Sequence, residues 1–183
     1  KRTGAITWTF AGRANHLWDR QRGFARVRKG DLEVWINLET RAGVATEDGQ
    51  KLEGEKRKEA LEEGYGAWAN DSFWLTAMNK AFDPGTTRAL VIQDDGTEAL
   101  LVQYSSGGVT PGDAYLWHLD NTGRPTSWQM WVSIIPIDGV SATWGDWMRL
   151  PTGAFVSTSH DIGPKTIEIT DLDAAETMRE LVK

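Results

Sequence analysis

Three histidines, no cysteine and a scatter of serines and carboxylates are all that this 183-residue chain offers for chemistry. His16, within Asn15-His16-Leu17-Trp18-Asp19-Arg20, is the one histidine with a carboxylate close in sequence, the pairing an imidazole base would need. No nucleophile accompanies it, so it reads as a loop hydrogen-bonding residue. His118 and His160 stand apart, and no two histidines fall at ligand spacing, so three or four metal ligands do not assemble. Ser105-Ser106-Gly107-Gly108 lacks the glycine-flanked serine of a nucleophile elbow, and no lysine-serine pair or helix follows it as a phosphate loop requires. The carboxylate pairs Asp94-Asp95 and Asp171-Leu172-Asp173 lie at turns without calcium-loop spacing. The sequence nominates no catalytic residue, no metal ligand and no cofactor, and an enzyme is not expected.

The informative side chains are aromatic. Ten tryptophans are present, and several alternate with aliphatic neighbours on one strand face. Trp8 and Phe10, Tyr115 and Trp117, and Trp128 and Met130 are each two residues apart, so each pair shares a face. With Trp68 from a helix they are the candidate ligand-binding residues, an apolar wall covered either by the protein's own side chains or by a hydrophobic ligand.

The elements that must position this wall are mostly strands. Ile6, Trp8 and Phe10 oppose Thr7 and Thr9, while Leu32, Val34 and Ile36 oppose Glu33, Trp35 and Asn37, the period of half-buried antiparallel strands. Arg88 to Gln93 and Glu98 to Tyr104 flank Asp94-Asp95-Gly96-Thr97, a hairpin signal in which both central positions tolerate positive φ. Ala114 to Leu119 and Thr126 to Ile135 flank Asp120 to Pro125, a second hairpin, and Pro125 is barred from a central ladder. Gly139 to Trp144, Ala154 to Ser159 and Lys165 to Leu172 complete about ten strands, separated by Gly145-Asp146, Pro151-Thr152-Gly153 and Gly163-Pro164. Leu61, Tyr65 and Trp68 at helical spacing predict an amphipathic helix over about 55 to 70, weakened at Gly64 and Gly66. Lys56-Arg57-Lys58 is interleaved with glutamates and reads as its solvated face. A short terminal helix over about 174 to 183, capped by Asp173 and turning Met178 and Leu181 inward, closes the chain. No repeat or linker composition appears, so residues 1–183 are expected to form a single domain.

Composition narrows the partners. A formal charge of -6 disfavours a phosphate-tracking surface, so nucleic acid is not expected. No apolar run approaches the ~20 residues of a membrane-spanning helix, so no transmembrane segment is predicted. A chain opening at Lys1 is expected to have lost an upstream segment.

Asn70-Asp71-Ser72-Phe73-Trp74-Leu75, Lys80, Asp83-Pro84-Gly85, Gly108-Val109-Thr110-Pro111-Gly112-Asp113 with Tyr115, and the Gly123-x-Pro125-x-x-Trp128 hairpin together resemble bacterial envelope proteins of the LolA/LolB-like, outer-membrane lipoprotein-sorting type. The resemblance is clearest from about Gly64 to Trp147. It implies a mainly β (α+β) fold, a curved antiparallel half-barrel whose predicted helix 55–70 is a lid over an apolar concave face that receives acyl chains. It further implies a non-enzymatic carrier or sensor of a lipid or lipoprotein acyl chain, in the periplasm or associated with the outer membrane, with an envelope protein as possible partner. The alternative is an interaction or sensor domain whose barrel is filled by its own side chains and which acts through loops such as Asn79 to Gly85 or Ser105 to Gly112.

Overall fold

The computed structural model describes residues 2–106, 112–133 and 137–182. It is mainly β, with two sheets and one long helix. The strands in chain order are β1 (Ala5–Phe10), β2 (Ala14–Asp19), β3 (Phe24–Lys29), β4 (Leu32–Asn37), β5 (Gly43–Glu47), β6 (Gln50–Lys51), β7 (Thr86–Ile92), β8 (Glu98–Tyr104), β9 (Ala114–Leu119), β10 (Pro125–Trp131), β11 (Val140–Thr143), β12 (Gly145–Arg149), β13 (Phe155–Ile162) and β14 (Lys165–Ala175). The helix α1 (Gly54–Thr76) separates β6 from β7, and a four-residue helix α2 (Met178–Leu181) follows β14. One sheet has the order β12-β13-β14-β1-β2-β3-β4-β5-β6 and the other β11-β10-β9-β8-β7. Neither order returns to its first strand, so among the described residues neither sheet closes into a barrel.

The chain divides into two compact units. Lys1–Trp74, Met148–Val156 and Glu168–Lys183 form the first, and Leu75–Trp147 and Ser157–Ile167 the second. In the first unit, β1 to β5 run as successive antiparallel hairpins and β14 pairs with the other edge of β1. The expected faces are present: Ile6, Trp8 and Phe10 are buried while Thr7 and Thr9 are only half-buried, and Val34 and Ile36 are buried opposite exposed Trp35. The β1–β2 connection is three residues, Ala11 to Arg13, with Ala11 and Gly12 both at positive φ and the Arg13 N–H donating to the Phe10 carbonyl. That mirror-image turn matches strand twist, and it holds the β1–β2 register.

The predicted helix is present and longer than expected, since it runs unbroken to Thr76. Gly64 does not weaken it into a bend. A Cβ built there would lie 2.8 Å from Val34 Cγ1, so the missing side chain lets α1 approach β4 closely. Leu61, Tyr65 and Trp68 pack with Leu32, Leu38 and Leu52 against Ala25, Val34, Ile36, Ala45 and Ala60. Tertiary packing of this stripe offsets the helix cost of the two glycines.

Two expectations are corrected. Among the described residues the strands number fourteen rather than about ten: β2, β3, β5 and β6 also form, and Gly145-Asp146 opens β12 instead of separating strands. The terminal helix does not begin at 174. Residues 173 to 175 continue β14 in register with β1, with Ala174 opposite Ile6, because that pairing buries Ala174 and Ile169. Asp173 accepts the adjacent Ala174 N–H rather than capping a helix, and Met178 and Leu181 are only half-buried. The Asp94–Thr97 hairpin is present as expected: Gly96 stands at φ 82, its N–H bonds the Gln93 carbonyl, and the Gln93 N–H bonds the Thr97 carbonyl. The Asp120–Gly123 turn repeats this geometry, with Gly123 at φ 81. Pro125 opens β10, where no central ladder bond is required of it, and a bulge precedes Ser127. Gly108 to Pro111 of the quoted motif, and Ile134 and Ile135 of the expected strand, lie outside the described residues.

Candidate functional site

The candidate wall falls into two clusters, one in each unit. Trp8 and Phe10 lie on β1 and Trp68 on α1 in the first unit; Tyr115 and Trp117 lie on β9 and Trp128 and Met130 on β10 in the second. Trp8 therefore does not share a sheet with Trp117 and Trp128. Alternation within a strand fixes the face of a side chain but not the sheet the strand joins.

In the second unit the antiparallel registers align two rows across the sheet. One runs Leu90, Leu100, Trp117, Trp128, Ala142; the other runs Arg88, Val102, Tyr115, Met130, Val140. Directly opposed residues share a face, so both rows belong to one surface. Exposure rises along the first row, from 0% at Trp128 and 3% at Trp117 to 64% at Leu90. The buried part is filled by rings: Trp128 lies 4.7 Å from Tyr115, 4.8 Å from Trp117 and 5.0 Å from Trp144 between centroids, and Trp144 lies 4.7 Å from His160. These tilted and edge-on pairs suit ring quadrupoles. Next to Leu90 on the open margin, Ile92 is 61% exposed, and the Arg88 guanidinium stands 4.6 Å over the ring of Phe82, itself 80% exposed.

Two phenols border this surface. Burial pushes the Tyr104 hydroxyl up to about 12, with the charge of Asp83 adding to the effect. Burial also pushes Tyr115 up, as does Asp113, whose carboxylate accepts its hydroxyl at 3.3 Å. Both stay neutral at physiological pH, so neither serves as a base there. His118, next to Trp117, is half-buried, and its Nδ1 lies 3.4 Å from Gln93 Nε2.

The first unit contains an arrangement that sequence reading did not reach. His16 lies on β2 rather than in a loop, fully buried, with Nε2 2.7 Å from Asp71 Oδ2 and its ring stacked 4.7 Å from Trp8. The second Asp71 oxygen accepts from Asn70 Nδ2 at 2.8 Å. The nearby carboxylate in sequence, Asp19, instead takes the backbone N–H and guanidinium of Arg22. The signal for the true partner was Asp71 itself: a carboxylate on a packed helix demands a buried donor. With His16 at 0% and Asp71 at 4% exposed, the pair is positioned to join α1 to the sheet. Trp68, half-buried, meets Trp18 edge-on at 5.2 Å and Tyr65 at 5.6 Å.

No helix of the described residues is long and apolar enough to cross a membrane. No protein-family model matches this chain, and no curated protein matches it.

Proposed function

We propose that this chain is a non-enzymatic binding protein of the bacterial cell envelope that carries or senses a hydrophobic ligand, a lipid or the acyl chain of a lipoprotein, as the LolA/LolB-like resemblance implies. The observation that carries this reading is the apolar face of the five-stranded sheet. It is sealed by aromatic rings at Trp128 and emerges into solvent at Leu90 and Ile92. An acyl chain laid on that margin gains roughly 25 cal/mol for each Å² of apolar surface removed from water. Chains reaching past Leu100 toward Trp117 require the rings to repack, which makes tryptophan emission the natural reporter. Curvature of the sheet into a half-barrel and the lid role of α1 belong to this proposal.

A titration with a long-chain fatty acid or a phospholipid tests it. Emission is expected to change saturably at a stoichiometry near one, and an Ile92→Asp variant to weaken binding while keeping the fold. Unchanged emission together with no calorimetric heat at several temperatures refutes the carrier reading.

A second reading draws support from Trp8 and Trp128, both 0% exposed: the apolar faces are filled by the protein itself, and function lies in surface segments such as 79 to 85. Under it, amphiphiles leave the protein unaffected.

A further inference from the structure

Sheet edges offer unpaired backbone groups, and proteins usually blunt them. Among the described residues three of the four edges are blunt: β6 has two residues, β11 has four, and β12 carries Asp146 at φ 47, which interrupts its pleat. β7 is different. Its seven residues pair one for one with β8 without a register shift, it contains neither lysine nor proline, and Leu90 and Ile92 are exposed on it.

The direction of its backbone groups follows from its neighbours. The Tyr104 N–H donates to Asp113 and the Tyr104 carbonyl accepts from Gly112, so the even-numbered residues of β8 bond toward β9 and the odd-numbered ones toward β7. The Ser105 N–H bond to Gly85 and the Gln93 N–H bond to Thr97 keep the same parity. The N–H and C=O groups of Arg88, Leu90 and Ile92 therefore point outward along the open edge.

We propose that this edge is a homodimer interface, in which β7 of one copy pairs antiparallel with β7 of a second copy about a two-fold axis at Leu90. Outward-facing residues bond only to outward-facing residues, so the axis falls on a residue, and Ala89, at the middle of β7, or its neighbour Leu90 keeps most of the strand paired. Charge selects between them. With the axis at Leu90, Leu90 meets its own copy, Arg88 faces Ile92, and Arg88 lies diagonal to Asp94 of the second copy, twice by symmetry. An axis at Ala89 keeps those charges apart. Among the described residues neither Arg88 nor Asp94 has an ion-pair partner in its own chain, whereas nearby Lys80 is paired with Asp83. The joined edges form one ten-stranded sheet whose apolar margins, each with Leu90 and Ile92, become continuous. This inference rests on the edge and its charges and stands independently of the ligand.

The chain has no cysteine, so a single introduced one reports cleanly. Paired Leu90 Cα atoms would stand about 5.5 Å apart, within disulfide reach. Mild oxidation of Leu90→Cys is expected to give a covalent dimer, and Thr87→Cys, displaced from the axis, to give none. Sedimentation equilibrium is expected to show a concentration-dependent dimer, weakened about tenfold or more by Arg88→Asp or by Asp94→Arg and restored when the two are combined. A wild-type chain that stays monomeric across the accessible concentration range overturns the proposal. So does a dimer that is indifferent to both charge reversals and yields no Leu90→Cys cross-link.

Discussion

Removing the Trp128 indole puts the packing account to its most demanding test. The side chain is 0% exposed, with three aromatic rings at centroid distances of 4.7, 4.8 and 5.0 Å. Truncation to alanine deletes a ring against which three others pack. Large-to-small changes of this kind cost about 3 to 5 kcal/mol. With a urea dependence of about 2 kcal/mol per molar, the midpoint should fall by about 1.5 to 2.5 M. Far-UV circular dichroism is the suitable probe, because the substitution itself alters tryptophan emission. Trp35→Ala is the matched control: its ring is 37% exposed, with Nε1 donating to Glu33 at 2.9 Å. Its midpoint should move by about 0.25 M or less, since surface changes generally stay within about 0.5 kcal/mol. A Trp128→Ala midpoint as little affected as the Trp35→Ala control would refute the ring-filled face and return Trp128 to the wall of an open cavity.

Two further outcomes are expected. Gly64→Ala should destabilise by about 1 to 3 kcal/mol, because the new methyl meets Val34, while Gly66→Ala, with open space around it, should stabilise α1 by up to about 1 kcal/mol; thermal melts of the pair check this. The phenols of Tyr104 and Tyr115 ionise later in the folded state than the ordinary value near 10, so their contribution to stability is full below pH about 10 and is lost as pH rises toward 12. Tyrosinate absorbance should therefore rise together with loss of far-UV signal, and Tyr104→Phe should extend the alkaline limit of the fold.

What the sequence made legible was local. Period two assigned Trp8, Phe10, Trp117 and Trp128 to buried faces, and helical spacing located Leu61, Tyr65 and Trp68, because both signals are carried by residues a few positions apart. The misreadings share a cause. Asp173-Ala174-Ala175-Glu176 looks like a helix start, but its pairing with β1 is set by residues at the opposite end of the chain. His16 stands near Asp19 in the sequence, whereas its partner Asp71 arrives from 55 positions away. Gly145-Asp146 has turn chemistry, yet Gly145 accepts the Ser157 hydroxyl at 2.6 Å, a contact local propensity cannot foresee. The separation of Trp8 from Trp117 and Trp128 belongs to topology, which alternation does not encode.

The pairing of Ala5 with Ala175 also sets a timetable. β1 leaves the ribosome well before β14, one of its two neighbours, because 170 positions separate Ala5 from Ala175. At about 5 to 20 residues per second, roughly ten seconds or more of synthesis passes between them. During that interval the β14-facing edge of β1, with Trp8 and Phe10 beside it, waits without its strand. Such long-range closure slows folding and prolongs exposure to other chains. A nascent chain of this design has reason to be held by a chaperone until β14 emerges.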